Sequence, residues 1–353
     1  MPPPRAAAAT ATGTGGAGDR ALVIVAGALL LVLCIFFRWW QLCQHPPARG
    51  VQWRAPLATA SAAQAQALAL PLRPLTLLRP LRPPGAPPTP VTVAIRVLTY
   101  NTMCLPPPAA PRVMDRARCI GAALKNAVDG GAVDVCCLQE VVFPPAADAM
   151  LAAAALPFSV APLTASMFRM NGGVVIGARA SAAGVRHHVF SAQKSAAFSW
   201  DAMIAKGVVH AWWVLSPRRV LHIYSSHTQS PIGEQYVRDK QIAEWHGFIA
   251  SYGHDPERDI VVLTGDINLE LRDPALFGLM RVRPIEWSAL TPPAKRASWN
   301  AWDPAGPKEL LDLVGVHQEF AAGVVSTRTR LVDVGCRSNS DHRGMLTTLS
   351  IEL

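Results

Sequence analysis

From Arg20 to Met114 the chain contains no acidic residue. Nine arginines fill the same stretch, at 20, 38, 49, 54, 73, 79, 82, 96 and 112, and they carry the whole formal charge of +9. Residues 115–353 hold 23 basic and 23 acidic side chains and are neutral. That balance disfavours a nucleic-acid partner, which would need a basic surface or at least a local patch. A basic segment ahead of a neutral body fits an anionic membrane surface better. Zinc signatures are also missing: there is no HExxH, and no cysteine pair has finger spacing. The seven cysteines (34, 43, 104, 119, 136, 137 and 336) are odd in number and read as free thiols rather than a disulfide framework. Cys136 and Cys137 lie in an apolar run, as small packing residues do. Charged residues make up only 16% against 50% hydrophobic, which excludes disorder over the whole length.

No internal repeat is visible. Residues 1–20 are rich in Ala, Thr, Gly and Pro without periodicity and read as a disordered tail. Ala21–Phe37 is a 17-residue run without charge, followed by Arg38, Trp39 and Trp40. This is the lower limit for a bilayer-spanning helix, and the tryptophans suit the interface. Residues 21–40 are thus expected to be a single-pass membrane anchor of undetermined sidedness. A cleaved signal peptide fits less well, because Ala58-Thr59-Ala60 lies too far downstream. Residues 41–90 form a Pro/Ala/Arg linker, LPLRPLTLLRPLRPPGAPPTP, too rich in proline for helix. The globular domain is expected to span 91–353.

Within it, VAIRVLTY (93–100) alternates and predicts a strand. Apolar residues at helical spacing predict a helix over 112–128, ended by Gly130-Gly131. Strands are expected at 133–139, 173–178, 208–215, 220–226, 259–265, 310–316 and 344–353, and helices at 146–155 and 234–250. Strands interleaved with helices and with other strands make a layered α/β domain with a mixed sheet.

Polar residues recur where the apolar strands end. Asn101 follows 98–100, Glu140 follows 135–139, and His227 follows 223–226. Asp266 and Asn268 follow 261–265, and Asp341-His342 precedes the last strand. Sites assemble at such strand ends in α/β sheets. The residue types suit hydrolysis of a phosphate ester. An oxygen-only pair, Glu140 with Asn101, fits Mg²⁺. A histidine beside carboxylates can act as general base, with Asp312 a candidate to hold its tautomer.

LTYN (98–101), LQE (138–140), NGGVVI (171–176), GDIN (265–268), LLDLV (310–314) and SDH (340–342) occur in one order. That ordered set resembles the DNase I-like endonuclease/exonuclease/phosphatase superfamily, over about residues 93–353. NGG, AKG (205–207) with Asp201 ahead of it, SHTQ (226–229) and VRDKQIAEW (237–245) are similar to the neutral sphingomyelinase branch. The chain departs from it at LDLV (311–314), which lacks the usual tyrosine. The resemblance implies a four-layer α/β sandwich, two packed mixed β-sheets with helices outside, preceded here by the transmembrane helix and Pro-rich linker. It implies an Mg²⁺-dependent phosphodiesterase acting on a phospholipid or sphingolipid in the membrane.

Residue by residue, the resemblance makes Glu140 and Asn101 the metal side of the site. His342 becomes the base, oriented by Asp312, with Asp341 nearby. His227 serves the leaving group, and Asp266 and Asn268 orient water and phosphoryl oxygens. Lys206, gated by Asp201, meets the phosphate, and Asn171 lies on the substrate side. Phe198, Trp200, Trp299 and Trp302 are candidate rim or membrane residues, though packing explains them equally well. The histidines at 45, 187, 188, 210, 222, 246, 254 and 317 are left as structural or surface residues. The rival readings are an endonuclease or phosphoinositide phosphatase on the same scaffold, and a silent membrane-tethered binding protein.

Overall fold

A computed structural model describes residues 91–353, except 162–169, 194–202, 231–233, 300–307 and 336–339. The tail (1–20), the anchor (21–40), the linker (41–90), Phe198, Trp200, Asp201 and Trp302 lie outside the described residues.

The elements run β1 (Thr92–Asn101), α1 (Val113–Asp129), β2 (Val135–Gln139), α2 (Pro144–Ala154), β3 (Phe158–Val160), β4 (Val175–Ala178), β5 (Gly184–Val189), β6 (Gly207–Ser216), β7 (Arg219–His227), α3 (Gln235–Ala250), β8 (Asp259–Asp266), α4 (Ala275–Leu279), β9 (Asp312–Ala321), β10 (Val324–Val332) and β11 (Gly344–Glu352). They form a six-stranded sheet in the order β10-β11-β1-β2-β4-β3 and a five-stranded sheet in the order β5-β6-β7-β8-β9. Each sheet is mixed: β1 and β2 are parallel in one, β7 and β8 in the other, and the remaining pairs are antiparallel.

The two-residue period of a strand sorts the layers. Val97, Val135, Cys137 and Ile176 of the first sheet share a core with Ile223, Val262 and Val314 of the second. Their neighbours Leu98, Tyr100, Cys136 and Leu138 point the other way and pack under α1 and α2. Helix α1 buries Val113, Ala117, Ile120, Leu124 and Val128, one face at helical spacing, and the Gly130 N–H caps it on Asn126 O at 3.0 Å. Proline at its first turn starts α2, where a missing N–H costs nothing. Gly121 lets the helices approach closely, since a Cβ there would stand 2.3 Å from Met150 O. Helix α3 covers the second sheet and buries Ile242, Trp245 and Ile249. The four-layer α/β sandwich is therefore present.

The transmembrane part of the expected architecture is corrected. Among the described residues no helix is long and apolar enough to cross a membrane. The longest, α1, has 17 residues and carries Asp115, Arg116, Arg118, Lys125 and Asp129, whereas a span needs about 20 predominantly apolar residues. The anchor at 21–40 as a membrane partner, and the single-pass membrane localisation built on it, are withdrawn. The free-thiol reading is corrected at one position. Cys104, Cys136 and Cys137 are free and buried, while Cys119 is disulfide-bonded. Burial pushes the Cys136 and Cys137 thiols up to about 12, so they stay protonated and serve as packing.

Four elements escape the pattern reading: β3, β5, β10 and α4. Strand β10 (VVSTRTRLV) pairs with β11 from Val332↔Gly344 to Val324↔Ile351. Its alternation is of Thr and Arg with few apolar residues, because it is an edge strand with one wet face.

Candidate active site

The space between the sheets is dry at one end and polar at the other, and each strand crosses that gradient in steps of two. On β1 the sequence is Val97, Thr99, Asn101, and on β2 it is Val135, Cys137, Gln139. On β7 it is Ile223, Ser225, His227, and on β8 it is Val262, Thr264, Asp266. The register then delivers neighbours: Asn101↔Gln139, His227↔Asp266 and Asp266↔Asp312. Polar residues from different strands are thereby set side by side at one end of the sandwich.

The two sheets are joined there by side chains. Asn101 Nδ2 donates to Asp266 Oδ2 at 3.0 Å, while its Oδ1 accepts from the Met103 N–H at 3.0 Å. Gln139 Nε2 donates to Thr99 Oγ1 (3.1 Å), Cys137 O (3.1 Å) and, across the gap, Ser225 Oγ (3.4 Å). Gln139 was not foreseen as a site residue. Its one signal was a glutamine inside an otherwise apolar strand, directly before Glu140.

His342 Nδ1 lies 2.8 Å from Asp312 Oδ2, and its Nε2 lies 3.6 Å from Asp266 Oδ2. All three side chains are almost fully buried. Burial by itself lowers an imidazole pKa, but the Asp312 and Asp266 carboxylates overcome it and hold His342 up to about 10. The Ser340 hydroxyl sets the loop: it donates to Asn101 O at 2.7 Å and accepts from the His342 N–H at 3.1 Å. Ser340 is thus a positioning residue that the SDH motif contained but that no role had been given. Asp341 accepts from Trp299 Nε1 at 3.2 Å, which places Trp299 at the site.

His227 Nε2 stands 3.8 Å from Asp266 Oδ2 and 3.9 Å from Glu140 Oε1. Lys206 is completely buried, with Nζ 3.2 Å from Nε2 and 3.3 Å from Nδ1 of the same ring. Glu140 holds a left-handed backbone, φ +56°, which a glutamate rarely adopts. Burial raises its carboxyl to about 7, against the lowering effect of Asn101.

Asn268 also has positive φ, +50°, and its Nδ2 donates to Thr228 O at 3.1 Å while its N–H donates to Asp266 Oδ1 at 3.0 Å. Gly265 makes this turn possible: its φ is +131°, and a Cβ there would stand 1.9 Å from Ser226 O. Asn171 is turned into its own loop, accepting from the Gly173 N–H at 2.9 Å. That loop reaches the lysine indirectly, through Met170 O and the Ala205 N–H at 3.0 Å. SHTQ and the helix after it also meet. Gln241 Oε1 accepts from the Gln229 N–H at 2.8 Å, and Arg238 Nη1 donates to Gln229 O at 3.2 Å.

Glu140, Asp266, Asp312 and Asp341 converge on His227, His342 and Lys206. Asp312 Oδ1 is buried without a hydrogen-bond partner. One ligand atom from each of Asp266, Asp312 and His342 falls within 4.8 Å of the others, so this buried trio can hold a divalent ion. A donor set this rich in carboxylate oxygen suits a hard cation. Both ends of the Asn101 amide are engaged by protein, and its Nδ2 orients Asp266.

Residues 98–342 match the Endonuclease/Exonuclease/phosphatase family. No curated protein matches the chain. Among solved structures, sphingomyelinase C from Streptomyces griseocarneus superposes with a TM-score of 0.58 at 20% identity, over 72% of this chain and 99% of that one. A beta toxin variant from Staphylococcus aureus with bound magnesium ions gives 0.57 at 18%, over 74% and 100%. Humanized D. rerio TDP2 gives 0.52 at 17%, over 72% and 98%. At these identities the likeness is one of fold. A buried His/Asp cluster able to chelate a divalent ion, set in that fold, is the site of a hydrolase acting by metal-assisted catalysis. Because the match runs from the strand that carries Asn101 to the His342 that closes the site, the chain belongs to the Endonuclease/Exonuclease/phosphatase family.

Proposed function

We propose that the protein is an Mg²⁺-dependent phosphodiesterase that hydrolyses sphingomyelin to ceramide and phosphocholine. The observation that carries the reading is the His342–Asp312 pair at 2.8 Å, whose second imidazole nitrogen faces Asp266 beside His227 and Lys206. The lipid substrate rests on the likeness to sphingomyelinase C, together with NGG, AKG and SHTQ in this sequence, and the choice of magnesium on the likeness to a beta toxin with bound magnesium ions.

Bound magnesium would supply charge neutralisation at the phosphoryl oxygens, held by Glu140 with Asp266 and Asp341 close by. A cation bound among these carboxylates would offset the charge that holds the His342 pKa up to about 10; with Asp312 keeping a proton on Nδ1, Nε2 is then the atom that takes a proton from the attacking water. Asn101 and the Asn268 N–H hold the Asp266 carboxylate, which orients that water. Lys206 brings positive charge to the oxygens of the phosphodiester as charge builds there. His227, whose Nε2 stands 3.8 Å from Asp266 Oδ2, serves the departing ceramide oxygen.

The test offers the full chain in Mg²⁺ four substrates side by side: sphingomyelin, phosphatidylcholine, a phosphoinositide and plasmid DNA, with Glu140→Ala as control. Phosphocholine from sphingomyelin, lost in the control, supports the proposal. Nicked plasmid or inorganic phosphate instead moves the protein to a nuclease or phosphoinositide phosphatase reading. Silence on all four from folded protein favours a binding role.

A further inference from the structure

A second cluster of metal-ligating groups lies at the other end of the five-stranded sheet, on its outer face. His222 of β7 lies beside Trp212 of β6, and His210 of β6 beside Tyr224 of β7. His254 comes from the turn between α3 and β8, and Asp259 is the first residue of β8. Asp259 and Asp266 are seven residues apart on one strand, roughly 23 Å, so this cluster is separate from the active site.

His254 Nδ1 lies 3.1 Å and His222 Nε2 3.5 Å from the same atom, Asp259 Oδ2, and the three lie within 4.8 Å of one another. The side chains of His222 and His254 are 1% and 0% exposed. His222 Nε2 is buried and makes no hydrogen bond. At 3.5 Å the contact is long for a charge-assisted hydrogen bond, which runs about 2.7–2.9 Å. It is close to the edge of a coordination tetrahedron, where bonds of about 2.0–2.1 Å set ligands roughly 3.3 Å apart.

The far nitrogens of both rings are already engaged. His222 Nδ1 meets His210 Nε2 at 3.1 Å, and His254 Nε2 meets the Tyr224 hydroxyl at 2.8 Å. Without an ion His254 Nδ1 donates to Asp259 Oδ2 at 3.1 Å; the tautomer in which His222 Nδ1 donates to His210 and His254 Nε2 to the Tyr224 hydroxyl would turn both lone pairs towards Asp259, the arrangement that metal-ligating histidines require. His210 is itself fixed, its ring stacked on Tyr224 with centroids 4.0 Å apart.

We propose that His222, His254 and Asp259 form a second divalent-metal site, of the zinc class, that pins the α3–β8 turn to the sheet. Two imidazoles and one carboxylate favour zinc over magnesium, in contrast to the oxygen-rich active site. The ion ties the turn that carries His254 and Asp259 to His222 of β7, two pieces of chain that meet only in the fold. Its effect is therefore on stability of the sheet end and not on chemistry.

The test uses the full chain, stripped with chelator and then loaded with zinc in excess Mg²⁺. Bound zinc per chain is counted after desalting, and thermal unfolding is followed with and without zinc. The wild type is expected to retain one zinc more than His254→Gln and Asp259→Asn. At zinc near 100 times the dissociation constant its Tm should rise roughly 5–10 °C, a rise both variants lose. Equal zinc in all three proteins, or no zinc retained by the wild type, overturns the proposal. If the ligand variants do not fold, His210→Phe is read instead, since it keeps the ring on Tyr224 and removes only the contact to His222. Zinc affinity is then expected to fall about 10–100-fold, and an unchanged affinity overturns the site.

Discussion

Asn101 Nδ2 donates a 3.0 Å hydrogen bond to Asp266 Oδ2, and the two residues are 165 apart in sequence and in different sheets. The bond is buried, and one partner is a carboxylate, so it holds the two halves of the site in register. Asn101→Ala should lower kcat roughly 10–100-fold, the worth of a hydrogen bond to a charged group. Steady-state kinetics on whichever substrate the protein turns over checks this, and a KM effect alone would contradict it.

Asp312 is completely buried and bonded to His342 at 2.8 Å. Asp312→Asn keeps the volume but presents an amide that no longer fixes the proton on Nδ1. Turnover should fall on the order of 10³–10⁴-fold with the fold retained. Comparing kcat with the circular dichroism spectrum separates this from unfolding.

Gln139 Nε2 shares its two N–H donors among three acceptors, including the cross-sheet contact to Ser225. Gln139→Ala strips partners from buried polar groups and leaves a cavity. A loss of about 2–4 kcal/mol in urea unfolding is expected, with an unchanged m-value. A loss below about 0.5 kcal/mol would show that the gap between the sheets collapses without it.

His317 is buried on β9, with its ring stacked on Phe320. Burial lowers its pKa from 6.5 to about 4. Between those values the unfolded chain takes up a proton that the folded one refuses. Stability is therefore lost as the pH falls from about 6.5 towards 4, and nothing is gained above that window. His317→Gln should flatten the fall of Tm between pH 7 and 4.5. A parallel fall in both proteins would assign the acid sensitivity elsewhere.

Legibility differed from residue to residue. Asn101, Glu140, His227 and Asp266 could be read because each ends or follows an apolar strand, and strand ends are marked locally by a change from apolar to polar. Asp341 and His342 were readable because they stand together just before the last strand, and Asp312 because it is a carboxylate set in an apolar run. Gln139 and Ser340 were not, because their roles are contacts to Ser225 and Asn101 O, which no spacing encodes. Strands β5 and β10 were missed because edge strands lack an apolar run. His222 and His254 read as structural or surface residues because a buried histidine looks the same in sequence whether it packs or binds.

The sequence by itself determined the layered α/β class, the ordered set of strand-end residues and the family, since these depend on local period and on motifs read one at a time. Only the tertiary structure decided that Asn101 orients Asp266, that Ser340 bonds to Asn101 O, and that Lys206 is buried against His227. Those outcomes depend on sheet register and on which strands become neighbours, and register is set by packing over the whole domain.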